Sequence, residues 1–286
     1  MIKIIDLEKR YRDGPPHALK GINLELEDGV TSIIGRNGAG KTTLIRILST
    51  QLEPTSGTAL INGLDILKDT QEVRRNVVSI PQESGPIGIL TPVELVKLFL
   101  VGRGGMSFHD AHVLALKTLD QLGGLREFRN APSDTLSGGM KRKIFVAMAL
   151  AANVDTVFLD EPTTGLDPPL SRIEVWSAVR ELDGNVILTT HYMEEAQELS
   201  RKVVLIDNGT VLEKGTVQDL LSKFRGGKIR VECSFDPGGP LNEDRKHVHR
   251  VRPPRSEAES YIDRGCTVKA ITLDDLFLAH GVLVEP

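Results

Sequence analysis

The chain has 286 residues, 40% hydrophobic and 26% charged, enough to bury one large core or one core with a smaller appended domain. Its formal net charge of −4 argues against a general nucleic-acid binder, since duplex affinity rests on many Lys and Arg contacts to phosphate. No apolar run approaches the roughly 20 residues of a membrane-spanning helix, and the opening MIKIIDLEKRYRDG has neither the apolar stretch nor the cleavage site of a secretory signal, which predicts a cytosolic protein free to sit beside a membrane.

In chain order, MIKIIDLEKRY and INLELEDGVTSIIG alternate apolar and polar residues before a short β-branched run, predicting sheet-edge strands that feed one buried strand, Thr31 to Ile34. The helix KTTLIRILSTQ follows directly, then strand-like TALINGLDI and NVVSIPQES. From about Thr91 to Ala152 the pattern is mostly helical, as in TPVELVKLFLVG and FHDAHVLALKTLDQLGG, and predicts a helical subdomain. Sheet character returns in DTVFLDEP and NVILTTH, each followed by a helix, PLSRIEVWSAVREL and MEEAQELS; this alternation argues for a parallel-rich α/β core. KVVLIDNGTVLEKG places Asn208-Gly209 between two apolar runs, a hairpin signal. Beyond residue 224, loop-like FDPGGPLNED and RVRPPRSE separate the fragments KIRVECSF, SEAESYIDRG and CTVKAITLDDLFLAHG, which predict a small appended α/β domain over 225–286. The two cysteines, Cys233 and Cys266, fit a reducing compartment, so no structural disulfide is expected, and they lack the clustered Cys/His spacing of a zinc site.

Three stretches carry chemistry. GRNGAGKT, Gly35 to Thr42, fits G-x-x-x-x-G-K-[ST] between a buried strand and a helix. Glycines there allow positive φ and leave no bulk, so the backbone N–H groups of Gly38, Gly40 and Lys41 can turn inward around a β-phosphate. Lys41 would reach the β- and γ-phosphates and Thr42 would offer its hydroxyl to Mg²⁺. TVFLDEP ends a hydrophobic strand with Asp160 and Glu161. Alternation along a strand separates their jobs: one carboxylate can hold the Mg²⁺ water shell while the other faces an attacking water. LSGGMKRK, Leu136 to Lys143, opens a helix with Ser-Gly-Gly, which offers unpaired N–H groups, a positive dipole end and little bulk to an approaching anion.

Tyr11, GRNGAGKTT, Gln82 in IPQE, LSGGM, VFLDEP, GLDP and His191 in TTH occur in one order along the chain. With them the sequence resembles the nucleotide-binding subunit of an ATP-binding cassette (ABC) transporter over about residues 1–225. The resemblance implies an α/β fold: a P-loop NTPase core (1–224) with an antiparallel β subdomain and the helical subdomain (about 91–152), followed by the small C-terminal α/β extension. It implies an ATPase using ATP and Mg²⁺, working as a head-to-tail dimer with a second copy or a related cassette. Gly35, Asn37, Gly38, Ala39, Gly40, Lys41, Thr42 and Thr43 would cradle the phosphates, and Tyr11 would stack on adenine. Ser137, Gly138 and Gly139 would bind the γ-phosphate of the partner's ATP, although Ser137 also reads as a plain helix cap. Thr42, Asp160 and Gln82 would serve Mg²⁺, Gln82 also sensing nucleotide between core and helical subdomain. Glu161 would assist the attacking water, His191 would hold Glu161 or the water, and Asp167 would contact the second subunit.

The family's commonest signature ends in Gln where this chain has Met140. Met at this place, EPTTGLDP and the terminal ITLDDLFLAHG look like the branch of drug, antibiotic and haem-related exporters. That branch implies an integral membrane partner and a peripheral position on the cytoplasmic face, with no nucleic acid. The alternative, a soluble ABC-type ATPase acting on nucleic acid or ribosomes, usually carries a coiled coil, a zinc module or a second cassette, and none is visible here. Between Lys223 and Arg255, nine Lys/Arg face four acids, which reads as a solvated face or a regulatory surface. His247 and His249, and the pair His109 and His112, lack a third ligand and predict no metal.

Overall fold

The computed structural model describes residues 1–11, 17–166, 169–225, 230–233, 249–251, 254, 256, 258–269 and 273. The chain divides into two compact units, Met1–Lys214 and Gly215–Pro286.

In the first unit, β1 (Ile2–Lys9), β2 (Leu19–Leu26), β4 (Ser56–Ile61) and β5 (Leu64–Asp65) form an antiparallel sheet of order β2-β1-β4-β5. Alternating burial along β2 shows why the sequence alternates there: one face is packed and the other wet. A second sheet, of order β10-β9-β3-β8-β7-β6, holds β3 (Gly29–Ile34), β6 (Val77–Ile80), β7 (Thr156–Asp160), β8 (Asn185–Thr190), β9 (Lys202–Asp207) and β10 (Thr210–Thr216). Pairings of β3 with β8 and β9, and of β7 with β6 and β8, are parallel. Every residue of β7 and β8 is buried, as continuous β-branched and apolar runs require when both faces are covered. The β9–β10 hairpin turns on Asn208 (φ 47°) and Gly209 (φ 76°), both left-handed, as the Asn-Gly signal predicts.

The two faces of this sheet serve two cores. Phe158, Ile187 and Val204 pack with α1 (Lys41–Leu48) and the inner face of the antiparallel sheet. Val157, Leu159, Val186 and Leu188, one residue out of phase, pack with the helices α3 (Pro92–Gly102), α4 (Phe108–Gln121), α5 (Gly138–Ala152) and α6 (Pro169–Val179). Helix α3 starts in a capping box between Thr91 and Glu94, and α4 is capped by Ser107. Of these helices α3, α4 and α5 lie within residues 91–152 and α6 lies after them; His109 and His112 are exposed on α4. Two short helices, α2 (Thr70–Asn76) and α7 (Met193–Leu199), complete the unit.

The second unit contains α8 (Val217–Arg225), α9 (Ala258–Asp263) and a three-stranded antiparallel sheet, β12-β11-β13, of β11 (Arg230–Cys233), β12 (His249–Val251) and β13 (Thr267–Lys269). Most of the basic stretch, His247 included, lies outside the described residues. The expectation of no disulfide is corrected: Cys266 is disulfide-bonded. The β11–β13 register pairs Glu232 with Thr267, the residue after Cys266. A pairing between strands more than thirty residues apart leaves no spacing signal in the sequence.

Candidate functional site

The carboxyl ends of β3 and β7, on either side of β8 in the parallel sheet, meet at a cavity of about 530 Å³, a volume suited to a nucleotide. The loop from β3 into α1 forms its floor. Gly35 tolerates no side chain, since a Cβ there would lie 2.3 Å from the Ile206 carbonyl oxygen. Gly38 (φ 79°) and Gly40 (φ 105°) take left-handed conformations, and a Cβ on Gly40 would come within 2.5 Å of the Ala18 carbonyl oxygen. Gly40 is the N-cap of α1 and no side chain caps that helix, which leaves its first-turn N–H groups for an anion. Asn37, Gly38, Gly40, Lys41, Thr42 and Thr43 line the cavity, whereas Gly35 and Ala39 are buried behind it.

Lys41, 4% exposed, donates to the carbonyls of Gly35 (2.8 Å) and Arg36 (3.1 Å) and pairs with Glu161 Oε1 at 3.3 Å. Asp160, the last residue of β7, accepts from Thr42 Oγ1 (3.2 Å) and from the Thr189 hydroxyl. Glu161 sits one residue further on at φ 49°, a costly conformation held by bonds from its N–H to the carbonyl and hydroxyl of Thr189, each 3.0 Å. Its Oε2 meets Gln82 Nε2 (3.3 Å), Thr164 Oγ1 (2.8 Å) and His191 Nδ1 (3.1 Å). Burial opposes ionisation of Glu161, but bonds from His191 and Thr164 and the charges of Lys41 and His191 outweigh it and hold the carboxyl at about 2. The side chains of the two acids of VFLDEP thus have separate partners, and the left-handed backbone of Glu161, one residue past the strand end, turns them apart.

Hard oxygen donors of Thr42 and Asp160, with the Gln82 amide close by, fit Mg²⁺, which typically takes one or two protein carboxylates and completes its shell with phosphate and water. Among the described residues no group of three or more His, Cys, Asp and Glu could hold a metal without such help. Tyr11 lines the cavity, 38% exposed, its hydroxyl 3.3 Å from Thr43 Oγ1 and the centre of its ring 5.6 Å from Lys9 Nζ.

The Ser-Gly-Gly segment lies elsewhere: none of Ser137, Gly138 and Gly139 lines this cavity. Ser137 is the N-cap of α5 and its hydroxyl accepts from the Met140 N–H at 3.2 Å. Gly138 is exposed, while a Cβ on Gly139 would press 3.2 Å from Ser171. Met140 packs half-buried against the helical core. Asp167 lies outside the described residues.

Sequence reasoning missed several contributors. Thr164 and Thr189 hold the two acids, and the doublets EPTTG and LTTH were the available signal. Arg142 of α5 grips the carbonyls of Gln82 and Ser84, and His17, Lys20, Arg36 and Asn208 complete the cavity wall with no motif to mark them.

Residues 19–164 match the family model described as ABC transporter. "Daunorubicin resistance ATP-binding protein DrrA3" of Streptomyces coeruleorubidus is 36% identical over 303 residues, spanning 99% of this chain and 93% of that protein. "Daunorubicin/doxorubicin resistance ATP-binding protein DrrA" of Streptomyces peucetius is 39% identical over 219 residues, 75% of this chain and 65% of that protein. Among solved structures, a dimeric ATP-binding cassette in a post-hydrolysis state bound to ADP and Pi aligns with a TM-score of 0.66 at 27% identity, covering 76% of this chain and 98% of that one. The chain belongs to the ABC transporter family. Within it, this is an ATP-binding, ATP-hydrolysing cassette subunit, and no helix among the described residues is long and apolar enough to cross a membrane.

Proposed function

We propose that this subunit drives export of a drug-like or antibiotic cargo through a separate integral membrane partner, from the cytoplasmic face of the membrane. The resistance-named relatives in Streptomyces support that direction. The observation that carries the hydrolytic part is the convergence of Lys41, Gln82 and His191 on one carboxylate, Glu161, at the mouth of the glycine loop.

ATP enters with its adenine on Tyr11 and its phosphates on the loop from Gly35 to Thr43, where backbone N–H groups and the α1 dipole meet the negative charge. Lys41 exchanges its Gly35 and Arg36 carbonyls for β- and γ-phosphate oxygens. Thr42, Asp160 and Gln82 would hold Mg²⁺, which would supply charge neutralisation to the phosphoryl group. Glu161, ionised and turned toward the cavity by its left-handed backbone, takes a proton from the water as that water's oxygen bonds the γ-phosphorus and the bond from phosphorus to the β–γ bridging oxygen breaks, releasing ADP and phosphate, while His191 fixes the carboxylate through Nδ1. Ser137, Gly138 and Gly139 of a second, head-to-tail cassette close over the γ-phosphate, and Asp167 meets that cassette beside them. Charge stabilisation by preset donors supplies most of the acceleration.

The testing experiment is ATPase rate against protein concentration for wild type and Glu161→Gln, with sizing in ATP. A rate rising more steeply than linearly, lost in a variant that elutes as an ATP-bound dimer, is the expected result. A linear rate with no dimer would overturn the shared site. Failure to co-purify with any integral membrane protein would overturn the transport partner.

A further inference from the structure

Among the described residues helix α6 contributes none to the cavity wall, yet two of its side chains, Arg172 and Trp176, reach both loops that carry the hydrolytic groups. They lie four residues apart, so they share one helix face. Arg172 Nε donates to the Leu166 carbonyl, 3.3 Å away, on the segment that begins at Glu161. The same guanidinium lies 4.1 Å from the centre of the Tyr192 ring, and that ring meets the imidazole of His191 at a centroid separation of 4.1 Å. One turn on, Trp176 Nε1 donates to Glu195 Oε1 at 3.0 Å, and the same oxygen accepts from Thr163 Oγ1 at 2.8 Å. Glu195 is fully buried on α7, four residues after His191.

Both ends of the helix face therefore make the same type of link. Arg172 joins Leu166, after β7, to Tyr192, after β8; Trp176 and Glu195 join Thr163 to α7. His191 itself is a third exposed, and its ring stands between Glu161 Oε2 at 3.1 Å and the Tyr192 ring. We infer that α6 is a brace that sets the spacing of Glu161 and His191, with Arg172 a positioning residue that acts on His191 through the Tyr192 ring. Arginine suits this place because one planar guanidinium can stack on an aromatic face while donating in its own plane to a carbonyl; a lysine ammonium is a point charge and cannot do both. The inference rests on the role given above to His191 and Glu161.

The test is steady-state ATPase kinetics on the full chain for Arg172→Ala, Arg172→Lys, His191→Ala and the Arg172→Ala/His191→Ala double variant. Binding of a fluorescent ATP analogue and thermal unfolding serve as folding checks. Arg172→Ala is expected to lower kcat about tenfold with KM for ATP within about twofold of wild type, as misplacement of a catalytic group should. Arg172→Lys should recover part of the loss, and it carries the test if the alanine variant fails to fold. If Arg172 acts through His191, the double variant is no slower than His191→Ala alone. Losses that multiply in the double variant, or an unchanged kcat in Arg172→Ala, overturn the brace alone. A wild-type rate in His191→Ala overturns the brace together with the role of His191, while Glu161→Gln still reports separately on the hydrolytic site.

Discussion

At the carboxyl ends of β3, β7 and β8, Lys41, Asp160, Glu161 and His191 are all tied to one another or to nearby threonines within a single chain. At the start of α5, Ser137 bonds its own helix and Gly138 faces solvent, with no share in that cavity. Under the proposed function, the contrast separates a region finished by its own fold from one whose chemistry a second cassette would complete. Side chains that must be aimed are buried and cross-linked, whereas at the start of α5 glycine leaves backbone N–H groups accessible to an anion from outside. Variants that damage the first region should therefore act on any single copy, and variants in the second should act through assembly.

The largest expected effect is in the finished region. Glu161→Gln keeps the shape but removes the negative charge that lets the carboxylate take a proton from water, and should lower kcat about a hundredfold or more while ATP binding survives. Colorimetric phosphate release beside equilibrium nucleotide binding would check both halves of that statement. Next comes Gly40→Ala, where a methyl group meets the Ala18 carbonyl oxygen at 2.5 Å and φ is 105°. A cost of about 2 kcal/mol is expected, spread between folding and phosphate-loop geometry. ATP affinity and denaturant melts read it directly, and an unperturbed affinity would mean that the loop relaxes more freely than its packing against Ala18 implies.

Ser137→Ala sharpens the comparison at the other end. Loss of the α5 cap should cost about 1 kcal/mol of stability in the monomer. If the segment also serves a partner's nucleotide, ATP-driven dimerisation should weaken by more than that cap accounts for. Equal losses in the presence and absence of ATP would reduce Ser137 to a helix cap.

How much of this was legible in the sequence follows from what each feature needs. Glycine loops and strand-end acids are local: GRNGAGKT and VFLDEP specify their own backbone, so Lys41, Thr42, Asp160 and Glu161 could be placed by motif alone. Period-2 patterning likewise gave β2, and the Asn-Gly pair gave the β9–β10 turn. Long-range arrivals were not legible. Thr189 under Asp160, Arg142 on the Gln82 carbonyl and Arg172 on Tyr192 depend on which elements become neighbours, and a lone Thr or Arg on a helix carries no sign of its destination. The Cys266 disulfide was misread for the same reason, since strand register is a tertiary property.

The smallest expected effect concerns Glu195, the fully buried acid of α7. Burial pushes the Glu195 carboxyl above its usual range, against the hydrogen bonds from Thr190, Thr163 and Trp176 that favour the ionised form. For an acid raised in the folded state, the stability it contributes is fully present below its unfolded value of 4.5 and is lost as pH rises through the folded value. Glu161 has the opposite sign, its contribution being lost as pH falls from 4.5 toward about 2. Glutamine at position 195 reproduces the neutral acid: its carbonyl can still accept from Trp176 and Thr163, and nothing remains to titrate. Melting temperatures of wild type and Glu195→Gln should therefore coincide near pH 4.5 and separate in favour of the variant as pH rises. A separation in the other direction would mean that Glu195 is held as a carboxylate, with a cation on the unbonded Oε2 side, and that this core is more polar than its packing shows.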